Sequence, residues 1–432
     1  MSPSFATETA AALEGPAWLR AEREDAARRF AAAALPTAAL EEWRYSRIDA
    51  LDLDRFSPPT PGVAGGAGAA PAEVDALLTA LGPTAAVIET RDGRLAALRV
   101  TDPAVTVEDL SAAGAARCEL GAIAGEPDAF AALNRAFAPA PLRVRVSEGS
   151  SPAPIVVVHR LEGTRAALFP RILVEAASGS VASVLEVVAG GGSSLVVPVT
   201  ELDVADAASL GYVHVQLLDE DAWQVGLQAS RVGRDARLTS AAVAIGGDYA
   251  RLRTDSALVA PGGESRLIAV YFAAGAQMHD FRTVQGHLAP RTRSDLLYKG
   301  AVANGARSVY SGLIRVEKGA RGTNAFQANR NLVLHEGAHA DSVPNLEIEE
   351  NDVRCSHASA VGPIAEDQLF YLESRGVPTD VASRLIALGF LDEVIEHLPL
   401  PRLAALLRAA LAAKLERAEA LEAGGAAPGE GA

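Results

Sequence analysis

The chain has 432 residues, a formal net charge of −15 and only 5% aromatic residues, so its core must rely on small aliphatic side chains. Such an acidic chain does not attract nucleic acid or an anionic membrane, and no apolar run approaches the ~20 residues that span a bilayer. The N-terminus lacks the pattern of a signal peptide, and the two distant cysteines, Cys118 and Cys355, form neither a disulfide framework nor a self-contained zinc or iron–sulfur site. We therefore expect a cytoplasmic protein.

The first third of the chain is predicted to be helical and then mixed. A charge-laced amphipathic helix over residues 17–34 ends before Pro36 and belongs to an N-terminal helical segment over residues 1–57. Residues 58–71 are rich in Pro, Gly and Ala and are predicted to be a linker. Residues 72–140 combine short helical and strand-like stretches and are predicted to form an α/β region.

Residues 141–362 are predicted to form an all-β core. They consist of short runs rich in Val, Ile and Leu, separated by Gly, Ser or Asp. Pseudo-repeats begin at Gly305, Gly319 and Gly337, each at the turn before a similar strand. Irregular repeats of one strand-plus-turn unit indicate a β-helix, with a large sandwich as the alternative. A β-helix leaves ends that need a cap or a partner.

The chain after Pro363 is predicted to be a helical domain over residues 363–422. Its apolar residues fall at helical spacing, and Gly376 has the position of a helix C-terminal stop. Residues 423–432 are predicted to be a disordered tail.

The sequence H-E-G-A-H, from His335 to His339, matches a zinc metalloprotease motif. That motif works only on a helix, where two histidines four residues apart share one face. Gly337 and the strand-like flanks predict a turn instead, on which the two rings have no reason to converge. A zinc hydrolase is therefore the weakest reading. The glycine runs also lack a phosphate-loop layout, so any nucleotide would be bound by another chain.

Cys355 and His357 form the other candidate site. Residues i and i+2 of a strand face the same way, so these two side chains would project together. Thiolate and imidazole suit iron, zinc or copper, but two ligands do not complete a site, and a second chain, sulfide or solvent must supply the rest. The alternative is a small buried thiol beside a surface histidine. From the residues alone the two readings are equal.

Residues 326–377 resemble the SufB/SufD family of iron–sulfur cluster assembly proteins. Three pieces carry the resemblance: P-x-L-E-I at residues 344–348, Cys-Ser-His at residues 355–357, and E-x-Q-L-F-Y-L-x-S-R-G-V at residues 366–377. The earlier sequence EEWRYS, at residues 41–46, is also similar to a stretch that family members carry.

Within that family the chain resembles the SufD type. SufB-type chains carry a scaffold cysteine after the glutamine that corresponds to Gln327, and this chain has Ala328 there. SufB-type chains also tend to read Glu-His-Glu where this chain has Ser356, His357 and Ala358.

The resemblance implies a right-handed β-helix flanked by N-terminal and C-terminal helical regions, in a non-catalytic subunit of the SufBCD assembly complex. It implies pairing with SufB through the β-helix and binding of the SufC ATPase through the C-terminal helices. A nascent cluster would be built at the SufB–SufD interface, with His357 as a transient ligand shared with the partner chain and Cys355 beside it. The residues expected on the ATPase-docking helices are Leu369, Phe370, Tyr371 and Arg375.

For cofactors, the resemblance implies none bound stably to the lone chain and a transient iron–sulfur cluster in the complex, and it leaves a reduced flavin there open. The alternative function is a β-helix enzyme that acts on a polysaccharide, because acidic residues cluster at Glu347, Glu349, Glu350 and Asp352. The presence of only three tryptophans weighs against that alternative.

Overall fold

The computed structural model describes residues 3–58, 72–162 and 165–425, and it is mainly β-structure flanked by helices. Short 3-10 helices also occur in both flanking regions. The α-helices are α1 (Thr7–Ala11), α2 (Ala17–Ala32), α3 (Ala72–Leu81), α4 (Ala129–Phe137), α5 (Glu366–Ser374), α6 (Thr379–Ile395) and α7 (Ala404–Gly425).

The strands carry the valine, isoleucine and leucine runs of the sequence, as the β-propensity of these residues predicts. They are β1 (Ala86–Arg91), β2 (Arg94–Val100), β3 (Val105–Asp109), β4 (Leu142–Val146), β5 (Ile155–Leu161), β6 (Ala167–Leu168), β7 (Arg171–Ala176), β8 (Val181–Gly190), β9 (Leu195–Val196), β10 (Val199–Val204), β11 (Ser209–Leu218), β12 (Trp223–Val232), β13 (Arg237–Ala244), β14 (Tyr249–Leu258), β15 (Glu264–Ala273), β16 (Met278–His287), β17 (Arg293–Val302), β18 (Arg307–Val316), β19 (Thr323–Val333), β20 (His339–Ile348) and β21 (Val353–Gly362).

Successive strands alternate between two sheets, so the chain winds as a parallel β-solenoid of about eight turns. Sheet one has the order β2-β1-β5-β8-β11-β13-β15-β17-β19-β21, and sheet two runs from β20 through β18, β16, β14, β12, β10, β7 and β4 to β3. One turn takes about 30 residues: Arg237 pairs with Glu264, 27 residues on, and Arg293 pairs with Asn324, 31 residues on. The predicted β-helix is confirmed, because strands of a sandwich would pair mostly antiparallel.

Residues 72–140 do not form a unit separate from the β-core. Strand β1 pairs in parallel with β5, and β3 pairs antiparallel with β4, so this region supplies the first strands of both sheets. The predicted α/β region therefore forms the N-terminal end of the solenoid. The other predicted domain boundaries remain predictions, and residues 59–71 of the predicted linker lie outside the described residues.

Helices cover the outer faces of both sheets. Against sheet one pack α3, α6 and α7, through an apolar cluster that includes Val213, Val270 and Leu411. Against sheet two packs the N-terminal region, through a cluster that includes Phe30, Phe130 and Val225. Helix α7 continues to Gly425, so residues 423–425 are helical rather than part of the predicted tail, and residues 426–432 lie outside the described residues. Among the described residues, no helix is both long and apolar enough to cross a membrane.

The side chains inside the solenoid, in what we call the bore, change character along its length. The N-terminal turns combine aliphatic residues such as Val184 and Leu202 with a buried polar cluster, in which Glu186 accepts from Thr200 at 2.9 Å and lies 3.2 Å from His159. The middle turns stack aromatic rings, and Tyr271 lies 4.5 Å from Phe281 between ring centroids. Gly300 makes room for this stack, because a Cβ there would lie 1.8 Å from the Tyr271 ring. The last turns combine the amides of Gln327, Asn329 and Asn331 with apolar residues such as Ile314 and Ala325.

Helix α7 is tied to the solenoid at three places along its length. Arg402, in the 3-10 helix Pro401–Leu403 just before α7, donates to the Leu81 carbonyl at 2.7 Å. In the middle, the Lys414 ammonium donates to the Ile245 carbonyl and, at 2.6 Å, to Gln277, and burial lowers the pKa of Lys414 to about 7. Near the end, the Asn304 amide donates to the Ala418 carbonyl and to Glu422, both at 3.0 Å.

A buried ion cluster sits on the outer face of sheet two. One oxygen of Asp280 accepts hydrogen bonds from Arg251 and Tyr249, both at 2.8 Å, and the other accepts from Arg282 at 2.6 Å. Burial alone would raise the pKa of Asp280, but the two guanidinium groups outweigh it and hold that pKa below its usual value.

This cluster holds the N-terminal EEWRYS sequence in place. Arg251 donates to the Glu42 carbonyl at 2.8 Å, and Arg282 donates to the Arg44 carbonyl at 2.6 Å. The Arg251 guanidinium also lies 3.7 Å from the centroid of the buried Trp43 ring. The motif therefore attaches the N-terminal segment to the solenoid.

We predict that Asp280→Ala lowers the free energy of unfolding by about 3–5 kcal/mol, because it leaves two buried guanidinium groups without their counter-charge. Chemical denaturation followed by circular dichroism measures this loss. The matched control is Glu347→Ala, which removes the exposed partner of Arg315 and should cost at most about 1 kcal/mol. Equally small losses of unfolding free energy in both variants would contradict the role of Asp280 as the counter-charge of the two buried guanidinium groups.

Candidate functional site

The C-terminal end of the solenoid is open. Strands β20 and β21 are ten residues long and are the last strands of sheet two and sheet one, and within the described residues each pairs on one side only. The backbone groups on their free sides therefore form two parallel edges to which another strand could bond. At the opposite end the terminal strands are β2 and β3, which within the described residues also pair on one side only but run antiparallel to their neighbours.

Cys355 and His357 both lie on the bore side of the terminal strand β21. Cys355 pairs with Ala325 and His357 with Gln327, and both partners are buried in the bore. Partners in a parallel pair point to the same side of the sheet, so the two side chains project together, as expected from their spacing. His357 is exposed at the open end, whereas Cys355 is half-buried beside Ile314.

Neither cysteine is activated in this chain. Burial raises the pKa of the Cys355 thiol and outweighs the hydrogen bond from the Ala325 backbone. Burial also raises the pKa of Cys118, which lies in a separate apolar cluster with Leu19 and Leu110. Both thiols are free. A thiolate at Cys355 would therefore need a metal or a charged partner to form readily.

An amide network fills the bore below the terminal turn, and the sequence reasoning did not identify it. Gln327 bonds Tyr310, and farther in, the Tyr271 hydroxyl donates to Asn331 at 2.6 Å and accepts from Asn329 at 3.0 Å. The signal in the sequence was the alternation Q-x-N-x-N within a strand, which places three amides on one face. In an apolar bore these groups need one another as partners.

The H-E-G-A-H sequence is a turn between β19 and β20, as predicted. The His335 Nδ1 accepts from the Asn304 backbone at 3.0 Å, while the His339 Nε2 lies 3.1 Å from Asp341. Gly337 has a φ of 91°, a left-handed conformation that favours glycine, so the motif does not lie on an α-helix. In residues 3–58, 72–162 and 165–425, no three or more His, Cys, Asp or Glu side chains are grouped to hold a metal ion.

The acidic cluster lies at an exposed corner rather than in a cleft. Glu347 pairs with Arg315 at 2.6 Å, and Glu350 accepts from the Gly319 backbone at 3.1 Å. Glu349 and Asp352 are exposed beside them. The Glu347 and Glu350 carboxylates are used in ion pairs and turn bonds, and none of the four lines a cleft, so the arrangement gives the polysaccharide hypothesis no support.

Helix α5 presents aromatic side chains to the surface. Phe370 is 71% exposed and Tyr371 is 56% exposed, and α5 contains no buried residue. The Arg375 guanidinium lies 5.3 Å from the Tyr371 ring centroid, and Leu369 is half-buried. The four residues predicted for partner docking thus lie in or next to one short helix, which packs on α6.

The geometry defines a class of protein: a two-sheet parallel solenoid, flanked by helices, whose C-terminal turn ends in two parallel edges. Comparison with known proteins then gives the family. The model described as "SUF system FeS cluster assembly, SufBD core domain" matches residues 159–390, more than half of the chain. This chain therefore belongs to the SufBD family.

Individual relatives agree with that membership. An iron–sulfur cluster assembly SufBD family protein of Mycobacterium tuberculosis (strain CDC 1551 / Oshkosh) is 39% identical over 230 residues, which are 51% of this chain and 58% of the relative. The iron–sulfur cluster assembly protein SufD of Bacillus subtilis (strain 168) is 31% identical over 273 residues, 61% of this chain and 60% of the relative. The chain thus spans about three fifths of the length of these relatives, and the predicted family and SufD type are confirmed.

We predict that iodoacetamide alkylates Cys355 more slowly at pH 8 than it alkylates an unstructured cysteine peptide, because a raised pKa leaves less thiolate. The fully buried Cys118 should react more slowly still. Mass spectrometry of the labelled peptides over time gives both rates in one sample, and faster labelling of Cys355 than of the peptide would contradict the burial argument.

Proposed function

We propose that this chain is a non-catalytic subunit of a SufBCD-type complex, in which it pairs with SufB and binds the SufC ATPase so that an iron–sulfur cluster is built at the SufB–SufD interface. The observation that carries the proposal is the open terminal turn with Cys355 and His357 on its bore side. Membership in a family whose model is described as a cluster-assembly domain supports the role.

The open end has the features of a surface for a second solenoid. Two unpaired ten-residue edges can each accept a strand, and exposed edges of this length need a cover. Exposed apolar side chains also lie on β19, β20 and β21 and add apolar area for a partner to bury. They are Phe326, Val343, Ile348 and Val361.

The cluster in this proposal is cargo that two chains share. His357 and Cys355 offer one imidazole and one thiol, which cannot complete a four-ligand iron site. Ala328, where SufB-type chains carry a scaffold cysteine, offers no sulfur. The remaining ligands therefore come from SufB or from sulfide. The lone chain then holds no stable cofactor, and a reduced flavin in the complex stays an expectation from the resemblance.

The ATPase would dock on α5 rather than on the whole helical domain. Helices α6 and α7 are occupied in covering sheet one, and their removal would expose its apolar face. Helix α5 packs on α6 and leaves Phe370 and Tyr371 exposed, as expected of aromatic anchors that bind a partner.

We predict that His357→Ala leaves the complex with co-expressed SufB and SufC intact but lowers its iron and sulfide content. Removal of a residue that only supports a metal ligand typically lowers metal affinity roughly tenfold or more. Removal of the ligand itself should lower it by at least as much. Iron and acid-labile sulfide per complex are measured after anaerobic purification.

Cys355→Ser is the comparison variant and should lower the same content less, because its thiol is half-buried and not activated. Unchanged iron and sulfide in His357→Ala would refute the role of His357 as an interface ligand.

We predict that the double variant Phe370→Ser and Tyr371→Ser weakens binding of the ATPase by at least about a hundredfold, since aromatic anchors typically cost about 2 kcal/mol or more each. Both side chains are exposed, so the free energy of unfolding should change by no more than about 0.5 kcal/mol. Leu421→Ser is the matched control, because Leu421 is 58% exposed on α7. Titration calorimetry with purified ATPase measures the affinity, and equal affinities for the two variants would place the docking surface elsewhere.

A further inference from the structure

Gln327 lies directly beneath His357 in the bore. The two residues are partners in the parallel pairing of β19 with β21. Partners of this kind point to the same side of the sheet on strands about 4.8 Å apart. Gln327 is completely buried, whereas His357 is exposed at the open end. The Gln327 side chain therefore lies one strand spacing inward from the position at which the His357 side chain projects.

The Gln327 amide is fixed from two sides. Its oxygen accepts from the Tyr310 hydroxyl at 3.1 Å, and its nitrogen donates to the Asn345 carbonyl of the terminal strand β20 at 3.1 Å. The Tyr310 hydroxyl in turn lies 3.2 Å from the Thr283 hydroxyl. A Cβ at Gly312 would lie 2.1 Å from the Tyr310 hydroxyl and 2.5 Å from the Gln327 oxygen, so the bore is shaped around this bond.

The fixed amide still has bonding capacity. A glutamine oxygen has two lone pairs, and the Tyr310 hydroxyl occupies one of them. The second lone pair is available to a donor from the turn above. The bore-facing side chain at the partner position in that turn is His357, whose neutral ring carries one N–H and one bare nitrogen.

We propose that Gln327 is a positioning residue for His357: its oxygen accepts the imidazole N–H and so leaves the other ring nitrogen bare toward the open end. A histidine that binds a metal usually donates its second ring N–H to such an acceptor, which fixes the tautomer and the ring orientation. The ligand role of His357 rests on the proposed function, but the tautomer and orientation of its ring are properties of this chain alone.

The test is the tautomer ratio of the His357 ring, read from ¹⁵N chemical shifts of the full chain labelled at histidine. Spectra are taken at pH 9, where an unperturbed imidazole is neutral, and His357→Gln identifies the signals. Wild type should favour one tautomer, and Gln327→Leu should move the ratio toward that of free histidine by about two- to tenfold, the range of one net hydrogen bond. An unchanged ratio in a folded Gln327→Leu chain overturns the proposal.

Two further variants keep the test decisive. Gln327→Asn shortens the side chain but keeps an amide in a bore that already holds Asn329 and Asn331, and it should move the ratio in the same direction. Gln228→Leu makes the same change at a buried bore residue that bonds Ser240, several turns away, and should leave the His357 ratio unchanged. A shift of similar size in Gln228→Leu would mean that the ratio reports general damage, and would overturn the proposal.

Cluster loading separates this inference from the proposed function. In the co-purified complex, lower iron and sulfide in both His357→Ala and Gln327→Leu supports both. Lower loading in His357→Ala alone overturns the positioning role and leaves the proposed function standing. Unchanged loading in both variants overturns the ligand role of His357 in the proposed function, and the tautomer ratio then decides the hydrogen bond by itself.

Discussion

Each inner strand of the solenoid bonds to the equivalent strand one turn earlier and one turn later, and this constraint governs the rest of the structure. In-register stacking places each residue above its counterpart about 30 residues away, so the bore-facing side chains form columns along the axis of the solenoid. Within a column, the polarity and size of the side chain can change only from one turn to the next. The last turn has no successor, so its two edges and its bore-facing side chains remain available.

The bore holds buried polar groups near both ends of the solenoid. Toward the N-terminal end the Glu186 carboxylate accepts from Thr200 at 2.9 Å and from Tyr212, and below the C-terminal turn the amides of Gln327, Asn329 and Asn331 are hydrogen-bonded. Buried polar groups that satisfy one another are rigid, because each has few alternative partners in a low-dielectric interior. Cys355 and His357 thus project from a stiff platform, and the outward chemistry of the molecule is concentrated where the stacking stops.

The sequence was sufficient to predict the features that depend on the alternation of neighbouring residues. Strand content, the turn at Gly337 and the shared direction of Cys355 and His357 all follow from alternation and local turn chemistry. The partnership of Gln327 with His357 could not be predicted, because it depends on the length of the intervening turn, which varies from 26 to 32 residues elsewhere in the solenoid. The contribution of residues 72–140 to both sheets is likewise a long-range pairing with no local signature.

The three contacts that attach α7 require the length of this helix to match the length of the solenoid. Arg402 is held beside α3 near the first turn, and Glu422 is held by Asn304 after β17, 20 residues later. That distance is about 30 Å at 1.5 Å per residue, and the six strand spacings from β1 to β17 also span about 29 Å. An insertion or deletion of one turn would therefore move one of these contacts by about 5 Å unless α7 changed by about three residues, so the number of turns and the length of the helix must evolve together.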